Sequence, residues 1–260
     1  MARKVETVIM GGIVKIRPAG TGQPFRDAGL VSTVQQATET TDIVLANTRT
    51  PEGGNFDKKT RITALTLAMN FREFNTENIA ANLWADVTAV PSAAVTGEVL
   101  HAEVGKTCVL DKMPLTITSV VDAATGLVVF EEDEDFRMTG SGIEPLEGSS
   151  LADAIEAFAV SDPGEPYLLE IDSTCADFDE IEALVSSSQE FEIMLEGQNG
   201  AGTQGRINPR FWRCKFAPAE SLDWLGADDF MGMNVAVEVL ADATRGTGKS
   251  AYMKIQKETK

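Results

Sequence analysis

Residues 60–71 read TRITALTLAMNF. Thr63, Leu65, Leu67, Met69 and Phe71 alternate with Ile62, Ala64, Thr66, Ala68 and Asn70. A period of two sends successive side chains to opposite faces of a strand, so this segment has one bulky face for a core and one small or polar face. The signature returns at 231–242, MGMNVAVEVLAD, where Met231, Met233, Val235, Val237 and Val239 oppose Asn234, Glu238 and Asp242. Methionines in such a valine-rich row are core filler rather than ligands. Upstream, Phe191, Ile193 and Leu195 alternate with Glu192, Met194 and Glu196, and Trp212, Cys214 and Phe216 alternate with Phe211, Arg213 and Lys215. The glycine-rich GQNGAGTQG joins these two segments, which predicts an antiparallel pair with one acidic and one cationic second face. Each directly facing charge pair adds roughly 0.2–1 kcal/mol.

Further strands fit residues 7–16, 29–40 and 41–45, separated by turn residues. Residues 47–59, NTRTPEGGNFDKK, contain Pro51, two glycines and no periodicity, and predict a long exposed loop. Asn75 opens NTENIAANLWAD, where Ile79, Leu83 and Trp84 recur at helical spacing behind a capping side chain, so one short helix is expected. In the middle of the chain, 115–121, 126–132 and 136–138 read as short strands and 177–185 as a short helix. Residues 151–158 fit a helix or a weak alanine-rich strand, and periodicity leaves both open. The predicted fold is mainly β: an antiparallel β-sandwich or partial barrel with a flanking short helix, plus a small inserted β module.

The 260 residues include 22 Lys and Arg against 40 Asp and Glu, a net charge of −18. The imbalance is local: residues 1–97 sum to +1, 98–190 to −19 and 191–260 to 0. This predicts an electroneutral β core from 1–97 and 186–260, interrupted by an acidic β-rich module at 98–185. Phosphate neutralisation needs clustered cations, so a nucleic-acid-gripping surface is excluded. No run approaches the roughly 18–20 apolar residues of a membrane span, and the first twenty residues lack a signal-peptide core. Cys108, Cys175 and Cys214 lie far apart without CxxC spacing, which suits a reducing cytosol and suggests neither zinc nor disulfides.

Catalytic motifs fail on context. Residues 243–250, ATRGTGKS, approach P-loop spacing with Ala243 in place of the first glycine. A phosphate cradle needs a helix beginning at the Lys-Ser pair, whereas strand-like residues 251–255 follow, so a hairpin turn is predicted. His101 is the one histidine, and nothing beside it resembles a nucleophile elbow. The acidic run 131–135 lacks the glycine and distal glutamate of a calcium loop and reads as a solvated turn. The glycines at 197–202 lie between two strands, not between strand and helix, so they do not form a dinucleotide fingerprint. No catalytic residue, cofactor or metal is expected, and the chain is not read as an enzyme.

Several segments, in order, resemble the major tail tube proteins of long-tailed, siphovirus-like bacteriophages: GGIVKIRPAG, FRDAGLVSTVQQATET and RTPEGGNFDKKTRITALTLAMNFREFNTENIAANLWA, then FDEIEALVSSSQEFEIMLEGQNG and RFWRCKFAPAESLDWLGADDFMGMNVAVEVLAD. The resemblance covers most of 8–92 and 175–242; the middle segment matches least. It implies a β-sandwich or barrel-like subunit with a flanking helix, assembled as hexameric rings that stack into a hollow tube for genome passage. It implies the virion tail as location, assembly in the host cytoplasm, and as partners other copies of the chain and further tail proteins such as the tape measure and terminator. DNA would pass without specific binding, and no membrane is involved. On this reading the 47–59 loop stacks rings through Arg49, Pro51, Glu52, Asn55, Phe56 and Lys58. Glu192, Glu196, Glu238 and Asp242 would face the lumen and repel passing phosphates. The alternatives are a β-sandwich decoration or binding module of a virion or surface assembly and, behind it, a P-loop nucleotide hydrolase.

Overall fold

The structure, a computed structural model, describes residues 7–187, 189–201, 205–226 and 230–259. It divides into one compact unit formed by Met1–Val87 with Ile181–Lys260, and a second, Thr88–Glu180, inserted between those halves. In chain order the first unit holds β1 (Met10–Pro18), β2 (Arg26–Asp27), β3 (Val31–Ala46), β4 (Asn55–Phe71) and helix α1 (Thr76–Leu83). Strand β5 (Asp86–Val90) leads into the insert, which contains β6 (Ala94–Ala102), β7 (Cys108–Val109), β8 (Pro114–Asp122), β9 (Phe136–Thr139), β10 (Gly142–Pro145), α2 (Ser150–Ser161) and β11 (Tyr167–Cys175). Strand β12 (Phe178–Glu182) leads back and pairs with β5. The first unit is completed by β13 (Phe191–Asn199), β14 (Ile207–Phe216), β15 (Ser221–Leu222), β16 (Met233–Leu240) and β17 (Met253–Lys257). The insert begins earlier than residue 98 because β6 pairs with β11 within it.

The main sheet runs β2-β1-β13-β14-β16-β4-β3, with antiparallel neighbours. Its inner face is the core: Val14, Ile16, Leu65, Leu67, Met69, Phe71, Ile193, Phe211, Cys214, Phe216, Met233, Val235, Val237 and Val239 are all buried. The alternating rows of β4 and β16 thus meet in one layer, with Met69 opposite Val235 and Leu67 opposite Val237. The sheet does not close. Strand β1, next to the short edge strand β2, and the edge strand β3 instead flank a cleft of about 200 Å³ lined by residues 10–14 and 31–34. Helix α1 starts where Asn75 predicts it: the Asn75 side chain accepts from the Asn78 backbone N–H at 2.8 Å. The helix ends at Trp84 in the left-handed region, and the Trp84 indole donates to the Phe216 carbonyl at 2.7 Å.

The pairing of β1 with β13 brings the two backbones close at Gly12. A Cβ there would strike the Glu196 carbonyl and the Gly197 Cα of β13, whereas one at Gly11 meets nothing within 4 Å. Gly12→Ala is therefore expected to cost about 1–3 kcal/mol, as overpacking does. Gly11→Ala should be neutral or slightly stabilising, because it only restricts the unfolded chain. Denaturant melts of the two variants check the contrast, and equal midpoints would refute it.

In the insert, β6-β11-β8 and β7-β10-β9 form two small sheets around a second core that includes Leu110, Val120, Phe136, Ile143, Leu151, Leu169 and Ile171. The open question over 151–158 resolves as helix α2, capped by the Ser149 hydroxyl accepting from the Ala152 N–H at 3.1 Å, with Leu151 and Ile155 inward.

Several expectations are corrected. Residues 29–40 and 41–45 are one continuous strand, β3. The expected helix at 177–185 is strand β12, because pairing with β5 satisfies its backbone where Phe178 and Ile181 alone give a helix little to bury. Residues 126–132 make only two isolated bridges, Val121 with Val129 and Glu132 with Phe136. Asp135 of the acidic run is buried rather than solvated: its carboxylate accepts from Ser150 Oγ at 2.6 Å and from the Glu131 N–H at 3.0 Å, fixing the turn before α2.

Candidate functional site

The most unusual element is the β3–β4 hairpin. Antiparallel pairing runs from Val31 with Phe71 out to Ala46 with Asn55, with register shifts at Val31/Thr33, Glu39/Thr40 and Leu45/Ala46, but burial stops at Leu65. Beyond that level residues 39–46 and 55–62 are exposed on both faces. At roughly 3.3 Å per residue, this two-stranded ribbon projects about 30 Å past the core.

The expected 13-residue loop is consequently an eight-residue tip, 47–54, closed by the Asn47 N–H donating to the Gly54 carbonyl at 2.8 Å. Arg49, Pro51 and Glu52 lie in the tip, while Asn55, Phe56 and Lys58 lie on β4. The Arg49 guanidinium sits 5.6 Å from the Phe56 ring centroid. Lys58 and Thr60 both engage Asp42, at 2.7 Å each, and these bonds hold the Asp42 carboxyl below its usual range.

The two faces of the ribbon differ. Ile43 pairs with Lys59, Leu45 with Asp57 and Thr41 with Arg61 on one face; Val44 pairs with Lys58 and Asp42 with Thr60 on the other. The second face settles its own charges through Asp42. On the first, Lys59 and Arg61 make no ion pair among the described residues.

The outer face of the main sheet carries three of the four acidic candidates. Glu192 is 4% exposed. Its carboxylate accepts from Arg17 Nε at 2.6 Å and from Arg210 Nε at 2.5 Å. Both guanidinium groups also bracket the Phe25 ring, at 4.5 and 5.3 Å. Glu196 pairs with Lys15 at 2.8 Å, and Glu238 lies opposite Lys215 in the β14–β16 register.

Asp242 lies past the end of β16. It accepts from Thr244 Oγ1 at 2.6 Å and pairs with Arg245 at 3.2 Å, and these bonds lower its pKa. The Arg245 guanidinium in turn stacks over Trp212 at 3.3 Å. The carboxylates of this face are paired rather than free, because β1 and β14 bring cations to those of β13.

The expected antiparallel pairing of β13 with β14 is present, but its ion pairs differ from the expected set: Glu192 pairs with Arg210, and Glu190, just before β13, pairs with Arg213 at 2.7 Å. A bulge turns both Trp212 and Arg213 away from the core, so Phe211 and Cys214 are the inward residues. Glu190 lies below its usual pKa range because Arg213 donates to it. Burial pushes the Cys214 thiol up to about 12 and also raises Cys108, so neither is a thiolate at neutral pH.

Residues 243–250 form no hairpin and begin no helix. Strands β16 and β17 run in the same direction along one edge of β14, and 241–252 is an excursion between them, closed by the Asp242 N–H donating to the Ala251 carbonyl at 2.8 Å. His101 is exposed, 3.9 Å from Glu103. Gly197 lies within β13 and Gly202 outside the described residues. Among the described residues no group of acidic, histidine or cysteine side chains is arranged to hold a metal, and no helix is long and apolar enough to cross a membrane.

Sequence reasoning missed a third feature. Trp224, Leu225 and Phe230 are 72, 95 and 88% exposed in the connection from β15 to β16. Their signal was the clustering of large apolar residues in a segment otherwise rich in turn residues.

The family described as "Protein of unknown function UCP028589" matches residues 7–256. The chain belongs to this family. No curated protein matches it. The matched range includes the ribbon, the polar sheet face and the insert.

Proposed function

We propose that the protein is a tube-forming structural subunit, the tail tube protein of a long-tailed bacteriophage, assembling as hexameric rings that stack around a channel for genome passage. The observation that carries this reading is the ribbon. A two-stranded hairpin with both faces in water is marginal by itself, and here it also bears exposed Ile43, Val44, Leu45, Phe56 and Ile62. Such an element is stabilised by contact with another chain. The outer edge of β3 adds a long row of unpaired backbone groups, an aggregation hazard unless a neighbour uses it. Ring closure answers the edge, and head-to-tail stacking answers the ribbon.

The charge-balanced sheet face supports a channel lining that neither holds nor repels DNA strongly, because its cations are tied to carboxylates. The acidic insert carries a net charge of −17 over 88–180, which adds like-charge repulsion between assemblies. The same insert is what favours the second reading, a decoration or binding module. Negative-stain microscopy of concentrated protein separates the two: sixfold rings and stacked tubes are expected, and persistent monomers would overturn the tube reading.

A further inference from the structure

The strand directions place two exposed apolar surfaces at opposite ends of the main sheet. Strand β4 runs from the ribbon tip at Asn55 to Phe71, and Phe71 pairs with Met233, the first residue of β16. Strand β15 pairs with that same end of β16, Ser221 with Asn234 and Leu222 with Met233. Arg72, one residue past β4, donates to the Phe230 carbonyl at 2.6 Å. Trp224, Leu225 and Phe230 therefore sit at the base of β4, and the ribbon tip at its far end.

We propose that the Trp224, Leu225 and Phe230 patch is the seat for the β3–β4 ribbon of a second copy. This rests on the stacking reading above and names the surface that receives the ribbon. An open head-to-tail assembly requires two different complementary surfaces at opposite poles of the subunit, and the ribbon and this patch each expose several large apolar side chains at one pole. The charges also match. The ribbon face with Ile43 and Leu45 carries Lys59 and Arg61 against the single carboxylate of Asp57, so it is net cationic, and the two cations have no ion partner among the described residues. Beside the seat, Asp223 and Glu220 are likewise without an ion pair among the described residues. Amphipathic cationic ribbon and amphipathic acidic seat are complementary in both apolar and charged character, which fixes polarity as well as contact.

Zero-length carbodiimide coupling of assembled full-length protein, read by peptide mass spectrometry, tests the contact. An intermolecular Lys59–Asp223 or Lys59–Glu220 link is expected. Leu225→Asp should leave the melting temperature of the unassembled chain unchanged and shift stacked tubes to single rings. Lys59→Glu with Arg61→Glu should do the same, and adding Asp223→Lys with Glu220→Lys should restore stacking at least in part. Tubes that form normally with Leu225→Asp, or whose ribbon links map to other surfaces, would overturn this inference and leave the tube reading standing. Absence of any assembly by the parent protein would end both.

Discussion

A chain in which residues 40–63 are replaced by a two-residue Asn-Gly turn is expected to stay folded and to lose tube formation entirely. The replacement joins Glu39 to Ala64, which already pair, and Asn-Gly supplies the left-handed turn that a tight hairpin needs. Every side chain removed lies beyond Leu65, where no residue of the hairpin is buried, so little apolar area leaves the core. Its thermal midpoint should shift by only a few degrees, since exposed-site changes usually stay within about 0.5 kcal/mol each. On the proposed stacking reading the ribbon is one of the two surfaces of the ring-to-ring contact, so tube length should collapse to single rings under conditions where the parent forms tubes. A truncated chain that still forms long tubes would mean that stacking uses another surface.

That division between ribbon and core also explains what was legible in the sequence. Alternation is visible only where one face is buried and the other wet. It identified β4 from Leu65 inward and β16 throughout, because their inner rows fill one core. Outward of Leu65 there is no core to enforce a period, and the strand continues through NFDKK, residues 55–59, which reads as loop. The Pro51–Gly54 cluster did mark the turn, but its polar flanks made it look longer than it is. Helix α1 was legible because its cap is local, Asn75 acting on Asn78. The fate of Glu192 was not, because Arg17 lies 175 residues away in sequence and only strand pairing brings them together. Nor could spacing show that β16 and β17 are collinear segments on β14, which is why 243–250 looked like a hairpin. The pole at Trp224 was hidden for the opposite reason: an exposed apolar cluster has no period, and only its solvent exposure reveals it.

Removal of the Glu192 carboxylate is expected to have the largest effect of the charged-residue changes on the outer face of the main sheet. Glu192 joins β1 to β14 across β13, one oxygen to each arginine. Its side chain is 5% exposed, against 17% for Arg17 and 26% for Arg210. Glu192→Ala leaves two guanidinium groups facing one another over Phe25 with no anion between them. Breaking a buried pair from one side costs about 3–5 kcal/mol, and because the arginines keep some contact with water the lower end, about 3 kcal/mol, is expected here. For a unit of this size that corresponds to a fall of roughly 6–12 °C in melting temperature. Glu196→Ala provides the comparison: its partner Lys15 is 29% exposed and Glu196 itself 40%, so no more than about 1 kcal/mol should be lost. Changing all three members to apolar residues of similar volume, Arg17→Met, Glu192→Leu and Arg210→Met, should recover most of the stability, because the cost lies in the unpaired charges and not in the absence of the pair. The triple variant then separates stability from function. It keeps a folded subunit while stripping the sheet face of two cations and one anion. If the balanced charge of that face matters to a DNA-conducting channel, tubes of the triple variant should assemble normally and differ only in genome passage. Equal melting temperatures for Glu192→Ala and Glu196→Ala would show that the triad is not the clamp described.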